Sequence, residues 1–190
     1  MTTPKRRRRT AQPATPEGLR RAALRYLGRY ASSAANLRRV LLARVERSAY
    51  AHGTGRDAGA EWVDEIVARL VGAGLVDDKA YAELRTARLT DRGHGRRRIA
   101  MTLREKGVDA EIIAAALAAL AADIADPDLR AAIVTARRRR LGPYRGADRE
   151  DRRERDLAAL ARAGFGYDIG RRVIDADDID DLRAEAEGRD

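Results

Sequence analysis

Leu19, Ala22, Ala23, Tyr26, Leu27 and Tyr30 recur at intervals of three and four, so they share one face of a helix and leave the intervening arginines to water. Thr15-Pro16-Glu17 before them reads as a helix start: a hydroxyl to cap free amides, a proline at the first position and an acid in the first turn. The same spacing returns in Leu37, Val40, Leu41 and Val45, with Ser32 and Ser33 as caps. It returns again in Val63, Ile66, Val67, Leu70 and Val71, beyond a glycine-rich loop from Gly53 to Gly59. Gly74-Leu75-Val76-Asp77-Asp78 reads as a helix stop and a new start. Tyr81, Leu84 and Leu89 then mark a helix ending near Gly93, and Ile99 and Leu103 one from Gly95 to Lys106 that Gly107 closes. Ile112, Ile113, Ala116, Leu117 and Leu120 mark another, capped by Asp109. Strand-like alternation of Val, Ile and Thr with polar residues is missing, and the expected fold class is all-α.

Two successive blocks of three helices invite a search for a third. Sliding the chain along itself by 57 residues sets Ile99 on Asp156, Leu103 on Leu160, Gly107 on Gly164, Val108 on Phe165, Ile112 on Ile169 and Ala116 on Val173. Most apolar positions survive the shift. A shift of 62 the other way sets Leu37 under Ile99 and Leu41 under Leu103, but puts Val45 where a glycine is expected. The third block is expected to open with Leu129 to Arg140, continue from about Glu150 to Ala163 and finish around Ile169 to Ile174. The predicted organisation is a disordered basic arm over 1–14, three-helix repeats over 15–76, 77–126 and 127–176, and an acidic, solvated tail over 177–190. Each block is too small for a self-sufficient core, so the three are expected to stack into an elongated, curved array.

Composition narrows the chemistry. Hydrophobic residues make up 44% of the 190, enough for a core, although much of that share is alanine. With no cysteine, neither disulfides nor thiolate chemistry is available. No apolar run reaches the length of a membrane span, and Lys5 with Arg6 to Arg9 is not followed by the apolar core of a secretory signal. A cytoplasmic protein without membrane contact is the simplest expectation. The net charge of +9 hides an asymmetry, since residues 1–11 carry +5 and residues 175–190 carry −6, leaving +10 on the body between. Of the 39 basic residues only Lys5, Lys79 and Lys106 are lysines, so 36 are arginines. A basic body favours polyanions through phosphate contacts and counterion release.

Gly93-His94-Gly95 lacks both the preceding strand and the following Gly-Lys-Ser/Thr of a nucleotide-binding loop, and a turn between two helices accounts for it better. His52 and His94 are the only histidines; without cysteine they make a poor metal set, and neither a metal nor another cofactor is expected. Asp77 and Asp78 are explained as helix-start carboxylates rather than a catalytic pair. The arginine clusters are left. Arg96, Arg97 and Arg98 open a helix, where their charge opposes the macrodipole, a conflict that a bound polyanion relieves. Arg137, Arg138, Arg139 and Arg140 close a helix, where the dipole favours them, and Arg171 and Arg172 lie on a helix of the third block. Taken singly each cluster suits a solvated face; together they make an anionic partner an equal alternative. Aromatics, at 4%, leave few platforms for stacking bases, so backbone tracking or protein docking fits better than base readout.

Gly95-x-x-Arg98-Ile99-x-x-x-Leu103-x-x-Lys106-Gly107-Val108, preceded by Gly74-Leu75-Val76-Asp77-Asp78 and Tyr81-Ala82, resembles the central repeat of the bacterial RecX regulatory proteins. Ser33 to Leu41 resembles the family's first repeat and Leu160 to Phe165, more weakly, its third, so that the resemblance runs from about Leu19 to Ile174. It implies a tandem of three-helix repeats without catalytic residues that modulates the RecA recombinase in DNA repair, recombination and the SOS response. Similar proteins lodge in the groove of the RecA filament on single-stranded DNA, block its extension and dampen ATP hydrolysis, strand exchange and co-protease activity. The arginines named above are then the expected contacts to RecA or DNA, with weak direct DNA binding and a monomeric chain. This sequence departs from the pattern at Val45, in a long loop from Ser48 to Glu61, and in its charged tails. Two rival readings are a helix-turn-helix DNA-binding protein and a phosphate-ester or nucleotide enzyme. The second lacks a nucleophile-base pair, a metal set and a phosphate loop.

Overall fold

The computed structural model describes residues 12–187; Lys5 and Arg6 to Arg9 of the basic arm, and residues 188–190, lie outside that range. Among the described residues there are ten α-helices, one short 3-10 turn and no strand. They divide into two compact units, one up to Asp77 and one from Asp78.

The first unit contains α1 (Pro16–Leu27), α2 (Ala34–His52) and α3 (Arg56–Gly72). Thr15 caps α1 by accepting from the Gly18 N–H, and Ser33 caps α2 by accepting from the Asn36 N–H. Leu19 and Ala23 of α1, Leu37, Leu41 and Val45 of α2, and Val63, Ile66, Val67 and Leu70 of α3 form its core, which Ala14 and Val76 close. The long loop expected between Ser48 and Glu61 is not there. Instead, α2 continues to His52, and only residues 53–55 separate it from α3. Ser48 explains the continuation, being wholly buried and accepting at its Oγ from the Ala14 N–H at 2.7 Å and the Thr54 hydroxyl at 2.9 Å. The chain is therefore part of the fold already at Ala14, and Val45 is a core residue. Opposite it, Gly59 brings α3 so close that a Cβ there would sit 2.4 Å from Val45 Cγ1. Tyr30 lies beyond α1 and is exposed, as is Val71.

The second unit contains α4 (Asp78–Asp91), α5 (Arg96–Glu105) and α6 (Ala110–Asp123), then α7 (Pro127–Arg139), α8 (Arg149–Arg162), α9 (Tyr167–Ile174) and α10 (Ile179–Ala186). The first three pack around Tyr81, Ala82, Leu89, Ile99, Leu103, Val108, Ile113 and Ala116. The others pack around Leu129, Ala132, Ala136, Leu160, Phe165, Val173 and Ile174. The self-alignment is realised in three dimensions: Leu103 and Leu160, Val108 and Phe165, and Ala116 and Val173 are all buried equivalents. Its one polar mismatch is resolved by a new partner. Asp156, in the register of Ile99 and 1% exposed, accepts two hydrogen bonds from the Arg145 guanidinium at 2.7 and 2.8 Å and one from the Gly142 N–H at 2.9 Å.

The acidic C-terminal stretch is not the solvated tail its charge suggests. Asp178 caps α10 by accepting from the Asp180 and Asp181 N–H groups, and Leu182 and Ala186, four apart, are buried in the third core. Two apolar residues at helical spacing dock the helix while its acids face water.

Candidate polyanion interface between the second and third repeats

The turn from Arg92 to Gly95, between α4 and α5, is strapped to the third repeat mainly by polar and backbone contacts. The Thr135 hydroxyl of α7 donates to the Gly93 carbonyl at 2.5 Å, and the Gly95 N–H donates to the Ala163 carbonyl at 3.0 Å. Gly95 lies so close to the end of α8 that a Cβ there would stand 2.5 Å from the Gly164 oxygen and 2.7 Å from Phe165. As the N-cap of α5, Gly95 has no side chain to offer. Asp128 of α7 supplies the missing cap from the next repeat, accepting from the Arg96 N–H at 3.0 Å. Burial holds the Asp128 carboxyl above its usual range, against the lowering effect of the Arg96 N–H. Arg130 pairs with Asp91 at 3.8 Å, and Arg138 Nη1 donates to the Arg92 carbonyl at 3.0 Å.

These ties bring the C-terminal arginines of α7 to the N-terminal end of α5, with His94 among them. Burial depresses the His94 imidazole below its ordinary pKa, and the charges of Arg98, Arg138, Arg139 and Arg92 push it further the same way. Arg98, Arg138 and Arg139, from two clusters some forty residues apart in sequence, thus act on one point. Arg92 joins them. No local signal in the sequence marks Arg92, because its neighbours arrive through the α4–α7 packing. Among the described residues none of these four guanidiniums pairs with a carboxylate.

The remaining predicted arginines divide. Arg96 and Arg97 are exposed on the Asp128 side of the α5 terminus. Arg137 and Arg140 are exposed at the end of α7, Arg140 as its left-handed cap at φ 54°. Arg171 and Arg172 of α9 stand apart. Arg172 bridges Asp126 at 3.0 Å and Glu185 of α10, and Arg171 lies 3.7 Å from Asp175, so both are engaged within the fold. Among the described residues no group of three or more potential ligands could hold a metal ion, and no helix is long and apolar enough to cross a membrane.

Fold and surface together define a class: an all-helical protein of tandem three-helix repeats, with an arginine-rich junction between the second and third. Residues 77–117 match the family model described as "RecX, second three-helix domain". The "Regulatory protein RecX" of Myxococcus xanthus (strain DK1622) is 46% identical over 175 residues, covering 91% of this chain and 90% of its relative. That of Halorhodospira halophila (strain DSM 244 / SL1) is 34% identical over 170 residues, covering 90% and 94%. The crystal structure of RecX from Lactobacillus salivarius has the same fold, with a TM-score of 0.60 at 22% identity over 84% of this chain and 94% of that one. The chain belongs to the RecX family of regulatory proteins.

Proposed function

We propose that this chain is a non-enzymatic regulator that binds the RecA filament on single-stranded DNA and inhibits its ATPase, strand-exchange and co-protease activities, in DNA repair and the SOS response. The observation that carries this reading is the 46% identity over 91% of the chain to a relative named as a regulatory RecX protein. The charge distribution supports it: a body of +10 rich in guanidiniums suits a nucleoprotein surface, where phosphates and protein carboxylates are both within reach. Arg96, Arg97, Arg98, Arg137, Arg138, Arg139 and Arg140 are the contacts this reading assigns. Arg171 and Arg172 contribute only by giving up the ion pairs that hold α9 to Asp126, Asp175 and Glu185. The chain acts in the cytoplasm as a monomer, and direct binding to free DNA is weak beside binding to the filament.

The test is a titration of the chain, below stoichiometry, into single-stranded-DNA-dependent ATP hydrolysis by the RecA of the same organism. Inhibition that leaves free single-stranded DNA accessible in a parallel control is the expected result. Undiminished hydrolysis at equimolar chain overturns the reading.

A further inference from the structure

The junction of the second and third repeats has a feature that joining the two does not require. Arg92 from the turn, Arg98 from α5 and Arg138 and Arg139 from α7 surround one half-buried histidine, and the charges that act on His94 are all positive. The junction's carboxylates are otherwise engaged, Asp91 with Arg130 and Asp128 with the Arg96 N–H; α8 brings only backbone to Gly95. Concentrating like charge at the N-terminal end of a helix costs stability in the free protein.

We infer that this junction is a binding site for the phosphodiester groups of a single-stranded nucleic acid, with Arg92, Arg98, Arg138 and Arg139 as donors and His94 as a fifth. This deepens the filament reading and rests on it only for the setting in which the chain meets DNA. Phosphodiester chemistry fits better than a protein's carboxylates for two reasons. A backbone brings several negative charges at regular spacing to four guanidiniums, whose planar forks match phosphate oxygens. A protein-docking centre sets aromatic anchors beside its arginines, and none of the five residues is aromatic, while Phe165 beside Gly95 is buried. The site reads no base, in keeping with a contact made to backbone alone.

The arrangement has a proton-linked consequence. In the free protein burial, and after it the charge of the four arginines, holds His94 below its ordinary pKa; a phosphate placed among them offsets the arginines' charge and favours the protonated imidazole, a donor at both nitrogens. His94 therefore titrates higher in the complex than in the free chain. Affinity rises as pH falls between those two values, by at most about tenfold per pH unit for one proton.

The experiment follows the imidazole Cε1–H resonances of the full chain by NMR as a function of pH, with and without a single-stranded oligothymidylate. Only His52 and His94 contribute, and His94→Gln assigns them. Fluorescence anisotropy of the same oligonucleotide supplies the affinities. The expected result is an upward shift of the His94 titration on binding, with His52 unmoved. His94→Gln should flatten the pH dependence of affinity, and Arg92→Gln with Arg138→Gln should weaken binding at every pH and reduce the salt slope by about 1.4. An unmoved His94, or a pH dependence that survives His94→Gln, overturns the site. A shift produced equally by poly-glutamate overturns its assignment to nucleic acid in favour of an acidic protein surface. RecA inhibition measured on the same preparations separates the two proposals: retained inhibition with an unmoved His94 sinks only the phosphate site, and lost inhibition with a shifted His94 sinks only the filament reading.

Discussion

Asp156 illustrates how a single residue reconciles a repeat with its exception. Its register is that of Ile99, a core position, and a carboxylate there is tolerable only because Arg145 and the Gly142 N–H satisfy it. Burial alone would raise its pKa, but those partners prevail and hold it below the usual carboxylate range. Asp156→Ala orphans both partners. We expect a loss of about 2–4 kcal/mol in urea unfolding, toward the low side for a buried pair because Arg145 keeps 26% of its side chain in water. Asp156→Leu combined with Arg145→Met restores an apolar slot and should recover part of that loss, the Gly142 N–H staying without its acceptor; no recovery would show that the ion pair is not what the position needs. The two titrating residues have pH signatures of the same sign in different pH windows. Asp156, depressed by folding, stabilises above the unfolded carboxylate pKa, and its contribution fades as pH falls through the lower folded value. His94 is also depressed and likewise binds its proton more readily when unfolded, so stability declines as pH falls below about 6.5 and levels off under the folded pKa. Thermal unfolding of His94→Gln between pH 5 and 7 should show a weaker decline than that of the unsubstituted chain. In sequence Asp156 is visible as a mismatch in the self-alignment, whereas Arg145 is one arginine among 36 and nothing local marks it.

Helices depend on fewer signals, and most were legible. Apolar residues at three and four, with Thr15, Ser33 and Asp109 as caps, locate α1, α2 and α6, because amphipathic burial and capping are local properties. The sequence misleads where glycine and charge have long-range reasons. Gly53 to Gly59 reads as loop, yet Gly59 is inside α3 because α2 passes against it at Val45. Gly59→Ala should therefore destabilise the first unit by about 1–3 kcal/mol although alanine is the better helix former, and Val45→Ala in the same chain should restore part of it. A Gly59→Ala variant as stable as the parent would contradict the close approach. Similarly, α10 is hidden under eight acids in residues 175–190, where only Leu182 and Ala186 betray a buried face. The arginine site was half legible: Arg98, Arg138 and Arg139 were visible as clusters, but their convergence on His94 depends on α7 packing against the turn after α4.

At the scale of the whole molecule, the chain is built of tandem three-helix repeats. The three-helix unit supplies the architecture, and small differences between units supply the chemistry: an apolar Ile99 in one, a paired Asp156 in another, and unpaired guanidiniums where the two meet. The most direct test compares the parent chain with the Arg96→Ala, Arg97→Ala, Arg98→Ala triple variant as inhibitors of single-stranded-DNA-dependent ATP hydrolysis by RecA. The three side chains are exposed, so the variant should fold, with an unchanged circular dichroism spectrum. The account predicts that the variant needs on the order of tenfold more protein for half-inhibition, as expected when several phosphate or carboxylate contacts are lost. Equal inhibition by a folded variant would contradict the claim that this arginine surface engages the filament.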